Sequence, residues 1–184
     1  MFDIRLMTCD PYMSHSPRIN SHEALIRRAL ALFNHARRQA LLERGRSLLL
    51  GHVCRLFNLA AIPPAQVRGR HCGGIKTVRI SHICGSLDRT DDFDHHFQPL
   101  SDRLRDRWVS VAAARCQDIA LPAVSLVQVG DRFFVEDGHH RLSVARMLGE
   151  SYVDAEVTVW EVNGPLPWDQ PAKKVFPQLT LHPT

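Results

Sequence analysis

The hydrophobic period of this chain changes at one place in a way that dictates local geometry, from two residues to about 3.6 at Asp137-Gly138. Residues 123–129 and 132–136 alternate as strands around Gly130-Asp131, a two-residue turn with glycine first, which suits a type II′ hairpin. After Gly138, Leu142, Ala145, Met147 and Leu148 line a short helix, and Gly149 stands where a C-terminal cap glycine belongs. A strand that passes through a glycine turn straight into a helix leaves the first helical amides without partners. The helix dipole adds partial positive charge there, so the turn suits an anion, phosphate above all. Gly138 permits close backbone approach, and Arg141 adds a planar donor fork. His139 and His140 can donate hydrogen bonds, shuttle protons or ligate metal, according to tautomer and pKa.

Upstream, residues 1–20 read as an irregular lead-in with Pro11 and Pro17. Ser21 is the expected N-cap of a helix, with Glu23 in its first turn and apolar residues at Leu25, Ala29, Leu32, Phe33, Ala36 and Ala40. Gly45 is expected to break it, a second helical stretch to run over residues 47–59, and Pro63-Pro64 to end that stretch. Residues 65–74 read as a basic glycine-rich loop, residues 75–83 as a strand closed by Gly85-Ser86, and residues 88–99 as a loop with a short turn of helix. Ser101 is the next N-cap, opening a helix over residues 102–117 with Leu104, Trp108, Val111 and Ala112 on one side. Residues 154–162 alternate as a last strand, and a proline-rich tail follows from residue 164.

The 184 residues suffice for one domain with a core, and no apolar run approaches the roughly 20 residues of a membrane span. The N-terminus lacks the pattern of a secretory signal, and the five cysteines are odd in number and scattered, with no C-x-x-C pair. A reducing, cytosolic location is expected, with no membrane partner. His52/Cys54, His71/Cys72 and His82/Cys84 match no usual zinc spacing. Charge is uneven: residues 1–80 hold 13 Lys/Arg against 4 Asp/Glu, a balance of +9, whereas the remainder balances at −5. The basic half can meet nucleic acid or phosphates, or be the solvated face of a helix.

The stretch LPAVSLVQVGDRFFVEDGHHRLSVARMLGESYVDAEV resembles the central motif of the ParB N-terminal/sulfiredoxin superfamily. A looser likeness reaches back to Ile75, where Ile83-Cys84-Gly85-Ser86 and Asp91-Asp92-Phe93-Asp94 are similar to bacterial ParB-like proteins with a D-G-H-H-R loop. In ParB proteins the matching loop, G-E-R-R, contacts nucleotide phosphates. Sulfiredoxin has G-C-H-R with a nucleophilic cysteine; His139 stands at that position here, so its thiol chemistry is not implied. A free serine kinase in the superfamily shows that the fold can transfer phosphoryl groups. The helix-turn-helix and dimerisation region of partition ParB are not matched.

The expected architecture is α+β: a small mixed sheet with packed helices over residues 75–163. A helical N-terminal segment and basic loop (residues 21–74) precede it, packing onto the sheet domain or mediating self-association into a homo-oligomer. The leading functional expectation is binding of a nucleotide of the ATP or CTP class, or another phosphorylated ligand, with Mg²⁺, followed by hydrolysis or phosphoryl transfer. Gly138, His139, His140, Arg141, Ser86 and Arg89 are the expected phosphate ligands, and His139, His140 and Asp137 the expected catalytic groups. Asp91, Asp92 and Asp94, with His95 and His96, are candidates to hold Mg²⁺; the alternative is an exposed acidic loop anchored by Phe93 and Phe97. Two other functions compete: a non-catalytic nucleic-acid-associated regulator using the basic half, and a metal-dependent ParB-like nuclease.

Overall fold

The computed structural model describes residues 18–50, 56–166 and 168. Its elements are α1 (Arg18–Leu50), β1 (Phe57–Asn58), β2 (Val67–Arg79), β3 (Ile83–Ser86), α2 (Arg105–Cys116), β4 (Val124–Val129), β5 (Arg132–Asp137), α3 (His139–Met147) and β6 (Tyr152–Val162). The six strands form one mixed sheet in the order β1-β3-β5-β4-β6-β2. Strand pairs β1/β3, β3/β5 and β4/β6 are parallel, whereas β4/β5 and β2/β6 are antiparallel. The fold is α+β, as expected. None of the described helices is long and apolar enough to cross a membrane.

The β4–β5 hairpin forms as read, with Gly130 at φ +61° and Val129 paired with Arg132. Helix α2 is also close to its expected range. A 3-10 turn over Asp102–Leu104 opens it, and the Ser101 hydroxyl accepts from the Arg103 amide. The end of α3 is closed by Gly149 at φ +78°, with the Glu150 amide donating to the Ala145 carbonyl.

Six local expectations are overturned. Helix α1 starts at Arg18, so Ser21 lies inside it, and it runs through Gly45 to Leu50. A glycine in a helix costs only about 1 kcal/mol relative to alanine, and Ala, Leu, Arg and Gln around it are good helix formers. The second helical stretch is absent: residues 47–50 belong to α1, Phe57–Asn58 is a strand, and residues 51–55 lie outside the described residues.

The glycine-rich loop of residues 65–74 is largely the first half of β2, a 13-residue strand along β6. Its glycines mark register shifts rather than a loop: a Cβ at Gly73 would stand 3.0 Å from Val159 Cγ2, and Gly74 has φ +76°. The single strand expected over residues 75–83 divides into the end of β2, a 3-10 turn at Ile80–His82 and β3. Residues 88–99 contain no helical turn; they are bends and turns joined by a bridge between Phe93 and Pro99.

One face of the sheet presents Ile83, Val124, Leu126, Val135, Ala155 and Val157 to Leu142 and Ala145 of α3 and to the buried rings of Phe93 and Phe97. The opposite face, with Val127, Val129 and Phe134, is covered by Leu59, Ile62 and Trp168. A third cluster joins α1, α2 and α3 through Ala29, Leu32, Phe33, Trp108, Ala112 and Val144. Helix α1 thus packs on α2, with Phe33 edge-on to Trp108 at 5.6 Å. In turn the Trp108 indole donates to Ser143 Oγ at 2.8 Å, so α2 is tied to the helix that opens at Gly138.

Candidate anion-binding site

Gly138 caps α3 with φ +95°, and a Cβ there would stand 2.8 Å from Val124 Cγ1 and 3.0 Å from Arg141 Nη2. Only glycine satisfies both the left-handed backbone and the close approach to β4. The first helical bond runs from the Leu142 amide to the Gly138 carbonyl. Neither a side-chain cap nor an acidic residue within the first turn meets the amides before it, so they are available to an outside acceptor.

This helix end opens on a cleft of about 540 Å³ walled by residues 121–123, Arg89, Arg107, Asp137 and Gly138–Arg141. His139 and His140 are buried, at 4% and 7% exposure. Burial, reinforced by Arg89 for His139 and by Arg107 and Arg89 for His140, holds both imidazoles down to about 4, so both are neutral at pH 7. Phe93 stacks on His139 at 5.8 Å and meets His140 edge-on at 5.6 Å. The Nδ1 atom of His140 is buried with no hydrogen-bond partner among the described residues.

The expected site residues separate. His139, His140, Gly138, Asp137, Arg89 and Arg141 all wall the cleft, whereas Ser86 is wholly buried and outside it. The fork of Arg141 is turned inward: Nη1 donates to the Pro122 and Ala123 carbonyls at 2.7 and 2.6 Å, and Nη2 to Asp137 Oδ2 at 2.7 Å. Asp137, expected to orient an imidazole, holds Arg141 instead.

The acidic cluster does not converge. Asp92 pairs with Arg103 and lies 3.8 Å from Arg89, and Asp94 Oδ1 accepts from the His96 and Gln98 amides. Phe93 and Phe97 anchor this loop in the core. Among the described residues no three His, Cys, Asp or Glu side chains are grouped to hold a metal ion.

No protein-family model matches this chain, and no curated protein does. Among solved structures, the crystal structure of sulfiredoxin from Arabidopsis thaliana is similar over 45% of this chain and 82% of that one, with 16% identity and a TM-score of 0.35. Likeness at that level assigns no role to any residue here. The roles rest on the geometry of the cleft itself.

That geometry adds Arg107, which the sequence reading passed over. It projects from α2, is exposed, and makes no ion pair among the described residues. Nothing local marks it, because it reaches the cleft only through the packing of α2 against α3 at Trp108 and Ser143. Other basic residues are already paired: Arg27 with Glu23, Arg37 with Asp102 and Arg46 with Glu43.

Proposed function

We propose that this chain binds a nucleotide or another small phosphorylated molecule in the cleft at the N-terminus of α3. The observation that carries the reading is an uncapped helix end beside two arginines, Arg89 and Arg107, with a buried and unpartnered His140 Nδ1 in the same wall. Free amides and guanidinium groups meet phosphate oxygens in charge-assisted bonds. The likeness of Gly138–Arg141 to the phosphate-contacting loop of ParB-type proteins points the same way. Among the described residues no carboxylate bonds either imidazole, so binding rather than turnover is the reading. Among the described residues Asp91, Asp92 and Asp94 are not grouped to hold Mg²⁺.

Calorimetry with ATP, ADP, CTP and GTP, each with and without Mg²⁺, tests this reading. Saturable binding is expected for wild type, weakened at least tenfold in Arg107→Ala. No binding of any of them by folded wild type would sink it.

A second reading has its own observation. Strand β2 lies at the sheet edge and exposes Arg68, Arg70, His71, Lys76 and Arg79, with Arg70 stacked over Trp160 at 4.0 Å. Nucleic acid bound there would be held through phosphates, with affinity falling steeply in salt. Arg70→Ala with Lys76→Ala, assayed on a duplex at two salt concentrations, separates this surface from the cleft.

A further inference from the structure

Ser86 ends β3 and is wholly buried, yet its hydroxyl stands 2.7 Å from His139 Nε2. A hydroxyl has one proton to give and two lone pairs with which to accept. Both accepting directions are taken, by the Arg89 amide at 3.0 Å and, more weakly, the Asp88 amide at 3.4 Å. The hydroxyl proton therefore has one destination, the lone pair of His139 Nε2. The reverse arrangement would give Oγ three donors and leave its own proton buried without an acceptor, which costs about 1–3 kcal/mol.

We infer that Ser86 is a positioning residue that locks His139 as its Nδ1–H tautomer, making this histidine a fixed neutral donor in the cleft with its Nε2 lone pair withheld. The inference rests on the phosphate reading for what that donor meets, but not for the tautomer itself. A neutral ring whose Nε2 accepts must carry its proton on Nδ1, and neutrality at pH 7 follows from burial beside Arg89. The stack on Phe93 fixes the plane of the ring, and the Ser86 bond fixes which edge faces β3.

The division of labour between the two histidines follows. His139 has its acceptor nitrogen occupied and can only donate, whereas His140 keeps an unpartnered Nδ1. Two adjacent imidazoles of similar burial thus carry different chemistry because one of them has a serine behind it. The same hydroxyl, by accepting from the Arg89 amide, also anchors the turn that brings Arg89 to the cleft.

The test is imidazole ¹⁵N NMR on the full chain without ligand, at pH 7. The expected result is a protonated, pyrrole-like Nδ1 and an unprotonated, pyridine-like Nε2 for His139; the opposite assignment overturns the inference. Ser86→Ala is expected to give mixed tautomers for His139 and to weaken inorganic phosphate binding about fivefold, the factor that corresponds to one neutral hydrogen bond. Ser86→Thr, which keeps the hydroxyl, is expected to restore the single tautomer. A Ser86→Ala protein that keeps one Nδ1–H tautomer would also overturn it. Should that variant not fold, the wild-type spectrum decides. Should wild type show the expected tautomer and bind no phosphate or nucleotide, the lock stands and the phosphate reading falls.

Discussion

Arg141 and Asp137 are joined across the first turn of α3, with Arg141 Nη2 donating to Asp137 Oδ2 at 2.7 Å. The same guanidinium bonds the Pro122 and Ala123 carbonyls, so one side chain pins the end of β5, the start of α3 and the approach to β4. It is a structural clasp at the rim of the cleft.

Replacing Arg141 with alanine is therefore expected to act first on stability. It leaves two carbonyls and a carboxylate without their donor, a loss of about 2 kcal/mol for charge-assisted bonds partly open to water. Urea denaturation reads this directly. Arg107→Ala is expected to leave the unfolding midpoint unchanged while weakening the ligand, because Arg107 has no partner to lose among the described residues. Equal effects of both variants on stability would contradict the clasp.

Gly138→Ala carries two penalties at one position. Its φ of +95° strains any side chain, and the added Cβ would meet Val124 at 2.8 Å. A destabilisation of about 1–3 kcal/mol is expected, with ligand binding lost because the first amides of α3 are displaced. Gly130→Ala has an open position instead, with nothing within 4 Å of its Cβ, so only the backbone strain remains. Thermal melts of the two variants should rank them in that order.

These contrasts show what the sequence could reveal. The hairpin and α3 were legible because each depends on neighbours: Gly130-Asp131 sets the turn, and Gly138 sets the change from strand to helix. Strand β2 was not, because Gly73 and Gly74 look like a loop until β6 supplies the ladder and bulge that require them. Helix α1 runs through Gly45 because one glycine costs only about 1 kcal/mol, which the good helix formers on either side outweigh, and the residue type alone does not show that balance. The cleft was half legible. Gly138 through His140 announce it, but Arg107 enters from another helix, and the inward turn of Arg141 depends on carbonyls 18 and 19 residues away.

The tie from α2 to α3 also has a measurable strength. Ser143→Ala would leave the Trp108 indole N–H buried without its acceptor, at a cost of about 1–3 kcal/mol. Phe33→Ala should cost more, about 3–5 kcal/mol, since the ring is wholly buried against Trp108 and its removal leaves a cavity. Denaturation gives both values. Hydrogen exchange should show the loosening of α1 in Phe33→Ala spreading to α2, and confinement to α1 would argue against the shared cluster.

The paired histidines predict how stability depends on pH. Both rings lie at about 4 in the folded chain and near 6.5 when unfolded, so the unfolded state takes up protons first as pH falls. Their neutral burial is therefore best tolerated above pH 6.5, and stability declines from there toward pH 4. At pH 5 the loss is roughly 2 kcal/mol for each ring relative to pH 7.5. His96, lowered by burial and by His95, adds in the same direction. Urea denaturation at pH 7.5 and pH 5 should show a drop in wild type that shrinks by about that amount in His140→Gln. Removing the ring removes its titration whatever it does to stability at neutral pH, so the difference between the two pH values is the quantity that decides. An undiminished drop in the variant would mean that the folded chain protonates His140 as readily as the unfolded chain does. The neutral imidazole that the phosphate reading places in the cleft would then be charged at pH 5.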